Sequence, residues 1–518
     1  MQKNIKSIFK DLFVLDMANN HQGSVEHGKK IIQQHSSVVQ KHGVKAAIKF
    51  QYRDLPNFIH PEHQKKSDNK HVPRFLSTKL TWEKFDVLRS YAAGQGLLTM
   101  CTPFDEISVA KIKSQGFDIL KIASCSVTDW PLLEAAASTG LPMIVSTGGV
   151  AYQDVDKVVS FLNNRGVDFA LMHCVSIYPT ATYQCNLKNI TALKTRFRDL
   201  RIGWSTHEDP NALLPIATAA SLGAEMFERH VGVADKEIAL NSYSSTPDQI
   251  DRWIGAYLDT KSLLGSRDRV YDENEQGSLL ALKRGVILTR SVKAGLRLEK
   301  DDVEFVFPCN PGQLSSGEFK VGMVCQDNLK AGTNIHTEHV LYEETIIQVR
   351  ERCLKEGIHE VKALLNLADI RLYPNFDVEY SHHYGLETFR ETGAVLITIV
   401  NKEYAKKLVV QLSGQRHPLH MHKLKDETFI VLHGDLNLRL GDEEFKLQKG
   451  DQMTVPPGVW HSFSSENGCI FEEISTTAFK GDSYYRDPMI SAKSYSERKT
   501  AVNHWNGYNL TRKISEAR

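Results

Sequence analysis

The residues with the clearest chemical purpose lie in Lys121-Ile-Ala-Ser-Cys-Ser-Val-Thr-Asp-Trp-Pro131, where a short apolar run of β character ends in small hydroxyl residues ahead of a helix start. A lysine, serine hydroxyls and free backbone N–H groups before a helix make a seat for a phosphate. The same residue types also serve as ordinary N-caps, so the stretch gains its weight from its surroundings. A second group stands far along the chain, in Gly414-x5-His420-x-His422-x4-Glu427-x6-Gly434 and Gly450-x5-Pro456-x-Gly458-x2-His461. On a strand, His420 and His422 point to one face, so two imidazoles take adjacent positions on one ion. Glu427 adds an oxygen and His461 a third nitrogen from a strand across a barrel, an N3O set suited to Mn, Fe, Ni, Co or Zn.

The elements that must position these groups differ between the two halves. Up to about residue 265, apolar runs alternate with helical patterns: 12–18, 46–51, 97–101, 119–123, 143–146, 169–173, 201–205 and 225–229. Between them, stretches such as 25–42 and 190–196 carry helical spacing, and Gly96, Gly116, Gly140, Gly166 and Gly223 punctuate the approaches to strands. Eight such repeats predict an α/β fold, a (β/α)8 barrel, whose strand C-termini share one mouth. Those ends carry Asp16, Asn19, Asn20 and His21; Lys49 and Gln51; Thr102; Lys121 and Ser124; Ser146 and Thr147; His173, Ser176 and Tyr178; Ser205 and His207; and Glu228 with His230. Lysines and hydroxyls at one rim suit an anionic phosphate, and two histidines at successive strand ends suit a divalent metal.

Composition narrows the class. At 518 residues the chain exceeds what one core supports, which sets an expectation of about three domains. With 63 basic and 62 acidic side chains the net charge is +1, so nothing pulls the whole chain toward nucleic acid or an anionic membrane. The N-terminus is too polar for a signal peptide, and no apolar run approaches a membrane span. Cysteines 101, 125, 174, 185, 309, 325, 353 and 469 lack CxxC pairing, which fits a reducing compartment and a cytoplasmic location.

Asp16-Met-Ala-Asn-Asn-His-Gln-Gly23, Ile48-Lys-Phe-Gln51, Cys101-Thr-Pro-Phe-Asp105, Lys121-Ile-Ala-Ser124, Ser146-Thr-Gly148, His173-Cys-Val-Ser-Ile-Tyr-Pro-Thr180, Ile202-Gly-Trp-Ser-Thr-His207 and Glu228-Arg-His230 resemble, in order, the motifs of the sialic acid synthase family. The resemblance covers roughly residues 10–265 and implies condensation of phosphoenolpyruvate with a sugar aldehyde to a 3-deoxy-2-keto sugar acid and phosphate. It implies that Lys121, Ser124, Ser146 and Ser205 grip the phosphate and that Lys49 and Gln51 place the enolpyruvyl group. His207 and His230 are then ligands of Mn²⁺ or Mg²⁺, with Asn20, Ser176, Tyr178 and Glu228 among the substrate-binding residues. Three departures stand out. Asp16 replaces the family's glutamate, a carboxylate one methylene shorter that keeps the chemistry of a base or hydroxyl acceptor; Cys125-Ser126 replaces a Gly-Glu whose glutamate holds acceptor hydroxyls; and Ala239-Leu-Asn-Ser-Tyr-Ser244 replaces an acidic segment. The phosphate side is kept and the sugar side rebuilt.

After a polar hinge at 272–282, residues 283–342 carry two Lys-Ala-Gly turns, at Lys293 and Lys330, after short strands, a near-repeat fitting a small β-clip module. It resembles the antifreeze-like domain that follows the barrel in sialic acid synthases and reaches the partner barrel of a homodimer, although Phe307 stands where that domain has an arginine. Residues 343–370 read as a connecting helix, 371–480 as short strands of a β-barrel or jelly roll, and 481–518 as a tail. The histidine–glutamate pattern fits both cupin motifs, and the segments 471–478 and 481–485 resemble cupin sugar isomerases of the D-lyxose isomerase kind. There a carboxylate moves a proton between C1 and C2; Glu472 or Glu473 is the candidate, and strand alternation lets only one face inward.

The expectation is a bifunctional cytoplasmic enzyme: a metal-dependent transferase barrel using phosphoenolpyruvate and a sugar aldehyde for surface polysaccharide, an antifreeze-like dimer domain, and a cupin that isomerises or recognises the sugar. Two alternatives remain at this level: a cupin isomerase on a scaffold barrel, and a non-catalytic sugar-binding regulator.

Overall fold

A computed structural model describes residues 8–235, 238–266, 272–372 and 376–502. The chain divides into two compact units, Met1–Val270 and Tyr271–Arg518. In the first, β1 (Leu12–Asp16), β2 (Lys45–Tyr52), β3 (Leu98–Pro103), β4 (Ile119–Ile122), β5 (Met143–Ser146), β6 (Phe169–Cys174), β7 (Ile202–Thr206) and β8 (Met226–His230) form a closed parallel barrel, β8 pairing back onto β1. A helix follows each strand, as the alternating sequence requires; the first, Val25–His42, is capped by Ser24 accepting from the His27 N–H and ended by left-handed Gly43.

The period-two alternation of each strand divides the apolar residues into two layers. Leu12, Val14, Ala47, Met100, Ile119, Ile144, Ala170, Met172 and Met226 fill the barrel interior as one cluster. Their neighbours Phe13, Leu15, Ile48, Phe50, Leu120, Val145, Leu171 and Phe227 pack outward against the helices in a second. β7 and β8 approach closely at Gly203, where a Cβ would lie 2.7 Å from the Met226 Cβ and 2.8 Å from its carbonyl oxygen. Register then aligns the rim: Asp16 stands opposite Lys49 on one side and His230 on the other, and Ser205 opposite Glu228.

The second unit begins with the helix Glu273–Ala281, two turns where the sequence read as a hinge. A small module follows, with β9 (Gly285–Leu288) paired to β10 (Val303–Val306) and β11 (Val324–Cys325) to β12 (Val340–Leu341), around Val286, Leu288, Val292, Leu298, Leu314 and Ile335. Both Lys-Ala-Gly turns end in a left-handed glycine, Gly295 at φ 86° and Gly332 at φ 79°. Phe307 is 63% exposed.

The remaining strands form two antiparallel sheets. One contains, in order, β20 (Gln452–Val455), β17 (Glu427–His433), β22 (Cys469–Thr476), β15 (Tyr404–Gln411), β14 (Ala394–Asn401), β13 (Asp377–Ser381) and β24 (Lys499–Val502). The other contains β19 (Glu443–Gln448), β18 (Asp435–Leu440), β21 (His461–Ser464), β16 (Arg416–Met421) and β23 (Tyr484–Tyr485). Val409, Phe429, Val431, Leu436, Leu438, Phe463 and Phe471 pack between them. The helix Ile346–Leu367 is more than a connector: Leu354, Ile358, Val361 and Leu365 cover Val378, Tyr380, Val395, Ile397 and Val410, closing the outer face of the larger sheet. The supposed tail contributes β23 and β24 to the sheets, so the domain runs to at least residue 502; residues 503–518 of that tail lie outside the described residues.

Candidate active site and metal centre

The barrel mouth is organised around Glu228, buried at the end of β8. Lys49 Nζ lies 2.9 Å from its Oε1 and Lys121 Nζ 2.7 Å from its Oε2, while Ser205 Oγ donates to Oε1 at 3.0 Å. Burial works to raise the pKa of this carboxyl, but Lys121 and Lys49 outweigh it and hold the group well below the usual range. Burial dominates at Lys121 and depresses its pKa; Lys49, also buried, is instead held above its ordinary value by Asp16 and Glu228. Asp16 completes the quartet, 3.0 Å from Lys49, and accepts from the Ala18 N–H at 2.9 Å.

Beside the quartet, Ser124 Oγ accepts from the Gly148 N–H at 2.9 Å, and Ser176 Oγ donates to the Gly148 carbonyl at 3.4 Å. A Cβ on Gly148 would come within 2.6 Å of Ser176 Oγ and 3.0 Å of Ser124 Oγ, so the absence of a side chain lets the hydroxyls converge. The buried hydroxyls of Ser146 and Thr102 have no hydrogen-bond partner among the described residues, as hydroxyls reserved for a ligand would be.

At the outer edge, the His207 and His230 rings stand 5.4 Å apart between centroids, with Tyr178 against His207 at 4.1 Å and Tyr243 against His230 at 5.2 Å. His207 Nδ1 meets the Val175 carbonyl at 3.0 Å, which directs the lone pair of Nε2 outward. Burial, with the neighbouring His230, pushes His207 down to about 3, and burial also lowers His230, so both rings are the neutral imidazoles that a metal requires. The two imidazoles would give a divalent ion two nitrogen donors with the other coordination positions open, while Asp16, 3.5 Å from His230 Nδ1, is engaged by Lys49.

Not every rim residue faces this centre. Asn20 spends its amide on the Val231 carbonyl at 2.8 Å and Ser244 Oγ at 3.0 Å, bracing the loop after β8. His173 is committed to the Cys185 carbonyl at 2.8 Å, and His21 accepts from the Gly23 N–H and packs on Phe85. Two residues of the mouth were not singled out from the sequence: Tyr243, whose signal lay in its departure segment 239–244, and Arg53, discussed below.

The second centre is more compact. His420, His422 and His461 offer ligand atoms all within 4.8 Å of one another, and among the described residues no other group of three or more His, Cys, Asp or Glu does so. Glu427 Oε1 lies 3.1 Å from His461 Nε2 and 3.6 Å from His422 Nε2. The three Nδ1 atoms meet the carbonyls of Pro418, Asp482 and Val459 at 3.0, 2.6 and 3.1 Å, which turns each Nε2 inward. His461 Nε2 and Glu427 Oε1 are buried against each other, and burial lowers His422 to about 4 and holds His420 well below its ordinary value. This donor set fits a divalent transition metal. One expectation is corrected. His461 is not across the barrel from His420: the two stand opposite each other on adjacent strands, and Glu427, on the larger sheet, is the ligand from the facing side.

Strand alternation selects Glu473, buried on β22, over Glu472, which turns outward to Lys406 at 2.7 Å. Lys425, within the motif but missed as a site residue, lies 2.7 Å from Glu427 Oε2 and 2.9 Å from Glu473 Oε1, and Lys407 lies 3.3 Å from the same Glu473 oxygen. Burial opposes ionisation of Glu473, but Lys407 and Lys425 hold its pKa far below the carboxylate range.

These observations define a (β/α)8 barrel with an anion- and metal-suited mouth, followed by a double-sheet domain whose three histidines and glutamate suit a metal. Residues 37–269 match the NeuB family and residues 407–469 the cupin domain. An uncharacterized protein of Methanocaldococcus jannaschii is 31% identical over 291 residues, 56% of this chain and 82% of that one. The N,N'-diacetyllegionaminic acid synthase of Legionella pneumophila is 28% identical over 62% of this chain and 92% of its own. A crystal structure assigned as spore coat polysaccharide biosynthesis protein E of Chromobacterium violaceum is 41% identical, with a TM-score of 0.63, covering 64% of this chain and 100% of that one. The chain belongs to the NeuB family and carries a C-terminal cupin domain. No helix among the described residues is long and apolar enough to cross a membrane.

Proposed function

We propose that the barrel condenses phosphoenolpyruvate with a sugar aldehyde, releasing phosphate and a 3-deoxy-2-keto sugar acid of the nonulosonic kind. The observation that carries this reading is the Lys49–Lys121–Glu228 cluster with the unpartnered Ser146 hydroxyl, lying under the neutral His207 and His230 pair. Lys121, Ser124, Ser146 and Ser205 would hold the phosphate, and Lys49 and Gln51 the enolpyruvyl carboxylate and double bond. A divalent cation on His207 and His230 would polarise the aldehyde oxygen and orient water. In the balanced reaction, C3 of phosphoenolpyruvate bonds to the aldehyde carbon, water adds at C2, the bond from C2 to the bridging oxygen breaks, and that oxygen leaves with phosphate. Asp16, on the phosphate side of His230, is the carboxylate for the water proton.

Charge supports the same reading. Lys49 and Lys121 are balanced by Asp16 and Glu228. Phosphoenolpyruvate carries about three negative charges near neutral pH, and a cation held by His207 and His230 would supply the attraction the quartet lacks. For the cupin we propose isomerisation of a sugar, with Glu473 moving the proton between C1 and C2, and Lys425, which bridges Glu427 and Glu473, holding it in place. The small module between them would serve a dimer, as the antifreeze-like domain does in the family it resembles. The test is phosphate release from phosphoenolpyruvate with Mn²⁺ and a panel of four- to six-carbon aldoses, acylated and not. Release that requires both aldose and metal is expected; a panel without turnover would overturn the synthase reading.

A further inference from the structure

Along β2, Lys49, Gln51 and then Arg53, just past its end, follow the period-two alternation that points them to one side. They form a ladder: Lys49 contacts Asp16 and Glu228, Gln51 Nε2 donates to Asp16 Oδ2 at 3.4 Å, and Arg53 donates to Gln51 Oε1 at 3.2 Å. Arg53 is thus two hydrogen bonds from the carboxylate beside His230. Its guanidinium carbon is 3.6 Å from the Phe104 ring centroid and 4.1 Å from that of Phe75, which clamp its plane.

No carboxylate pairs with this guanidinium among the described residues, and its Nε is buried without a partner. Asp105 has both oxygens occupied, one by the Asp54 N–H at 2.8 Å and one by the Ser108 N–H at 2.7 Å. Burial lowers Arg53 to about 10 against the opposing pull of Cys125, Asp16, Cys101 and Asp105. The guanidinium borders a cleft shared with Asn19, Leu55, Phe75 and Lys79, and Lys79 is likewise in no ion pair among the described residues. Such a half-buried, oriented fork with an unpartnered Nε suits an anion that would complete it. Near Arg53 stands Cys125, first of the Cys125-Ser126 pair that replaces the family's Gly-Glu, so that Ser126 stands in place of the acceptor-binding glutamate.

We propose that Arg53 determines acceptor specificity by binding a phosphate ester or carboxylate on the end of the sugar remote from its aldehyde. The acceptor is therefore an anionic sugar, a class that a glutamate at position 126 would repel. The inference rests on the synthase reading of the barrel, and its test separates the two.

Turnover would be measured for the full chain with Mn²⁺ and phosphoenolpyruvate, using D-mannose 6-phosphate, D-mannuronate and D-mannose, and the five-carbon set D-arabinose 5-phosphate and D-arabinose. The charged members should be preferred. Arg53→Met, which keeps an unbranched apolar stem between the two rings, should raise their KM on the order of 100-fold with little change in kcat. The neutral sugars should stay within about threefold, and Arg53→Lys should recover part of the loss. A preference for phosphate over uronate would distinguish the two anions. Equal loss on charged and neutral acceptors, or none on either, would overturn the proposal. If no acceptor turns over, the synthase reading fails, and titration calorimetry with unreactive D-sorbitol 6-phosphate and D-gluconate, with phosphoenolpyruvate and Mn²⁺ present, decides the anion site. Binding weakened by Arg53→Met upholds it; binding that is absent or unchanged overturns it.

Discussion

Replacing Glu228 by Gln removes the one charge that both inner lysines share while keeping its volume. Glu228 accepts from Lys49, Lys121 and Ser205. A carboxamide accepts through one oxygen only and turns N–H donors toward the other ammonium group. Breaking a buried pair in this way costs about 3–5 kcal/mol, which in a domain of this size lowers the melting temperature by about 10 °C. The cost has a defined pH dependence. Burial already lowers the Lys121 pKa against the pull of Glu228, and the variant lowers it further. A base whose folded pKa lies below its unfolded value of about 10.4 opposes folding until pH rises toward that value, returning about 1.4 kcal/mol per pH unit in the window between the two. The window is wider in the variant than in the parent, so the deficit should shrink as pH rises from neutrality toward the unfolded value of about 10.4. Scanning calorimetry of the full chain across that range reads both effects. Equal melting temperatures near neutrality, or a deficit that stays flat or grows with pH, would refute the account of the quartet.

Four further variants probe the sites separately. Gly148→Ala brings a methyl group within 2.6 Å of Ser176 Oγ; it should lower phosphate-releasing turnover by about tenfold or more at a stability cost of about 1–3 kcal/mol, read by steady-state kinetics and melting. His420→Ala with His422→Ala should reduce bound transition metal by about one ion per chain in elemental analysis. It should also abolish aldose isomerisation while sparing condensation of a supplied aldose; equal loss of both activities would contradict separate sites. Glu473→Gln should remove isomerisation, measured by loss of exchange at C2 in deuterated water, whereas Glu472→Gln, on the outward face, should leave it within about threefold.

The barrel was legible because its code is local. The run Met143–Ser146 is wholly buried and coincides with β5, and the first helix is bracketed by Ser24 and Gly43 where the sequence placed it. The rim residues followed, since strand ends in a closed barrel must converge. What escaped was set by contacts between distant residues. Lys499–Val502 becomes a strand only by pairing with Asp377–Ser381, and neither segment announces the other. Asn20 has the type of a ligand but is consumed by Val231 and Ser244, more than two hundred positions away. Lys425 and Arg53 look like surface cations until the Glu427–Glu473 pair and the Phe75–Phe104 clamp are seen around them. For Glu472 and Glu473, alternation fixed that one faces inward, and only the register of β22 fixed which.

The central claim is that carbon–carbon bond formation at this mouth expels phosphate by breaking the bond between C2 and the bridging oxygen. Phosphoenolpyruvate labelled with ¹⁸O at that bridging position, turned over with Mn²⁺ and an accepted aldose, tests it directly by mass spectrometry of the products. The label should appear in phosphate, the keto acid should take its C2 oxygen from water, and His207→Ala should abolish both. Label retained in the organic product would mean hydrolysis at phosphorus, and phosphate released equally without aldose would mean hydrolysis uncoupled from carbon–carbon bond formation; either would contradict the account.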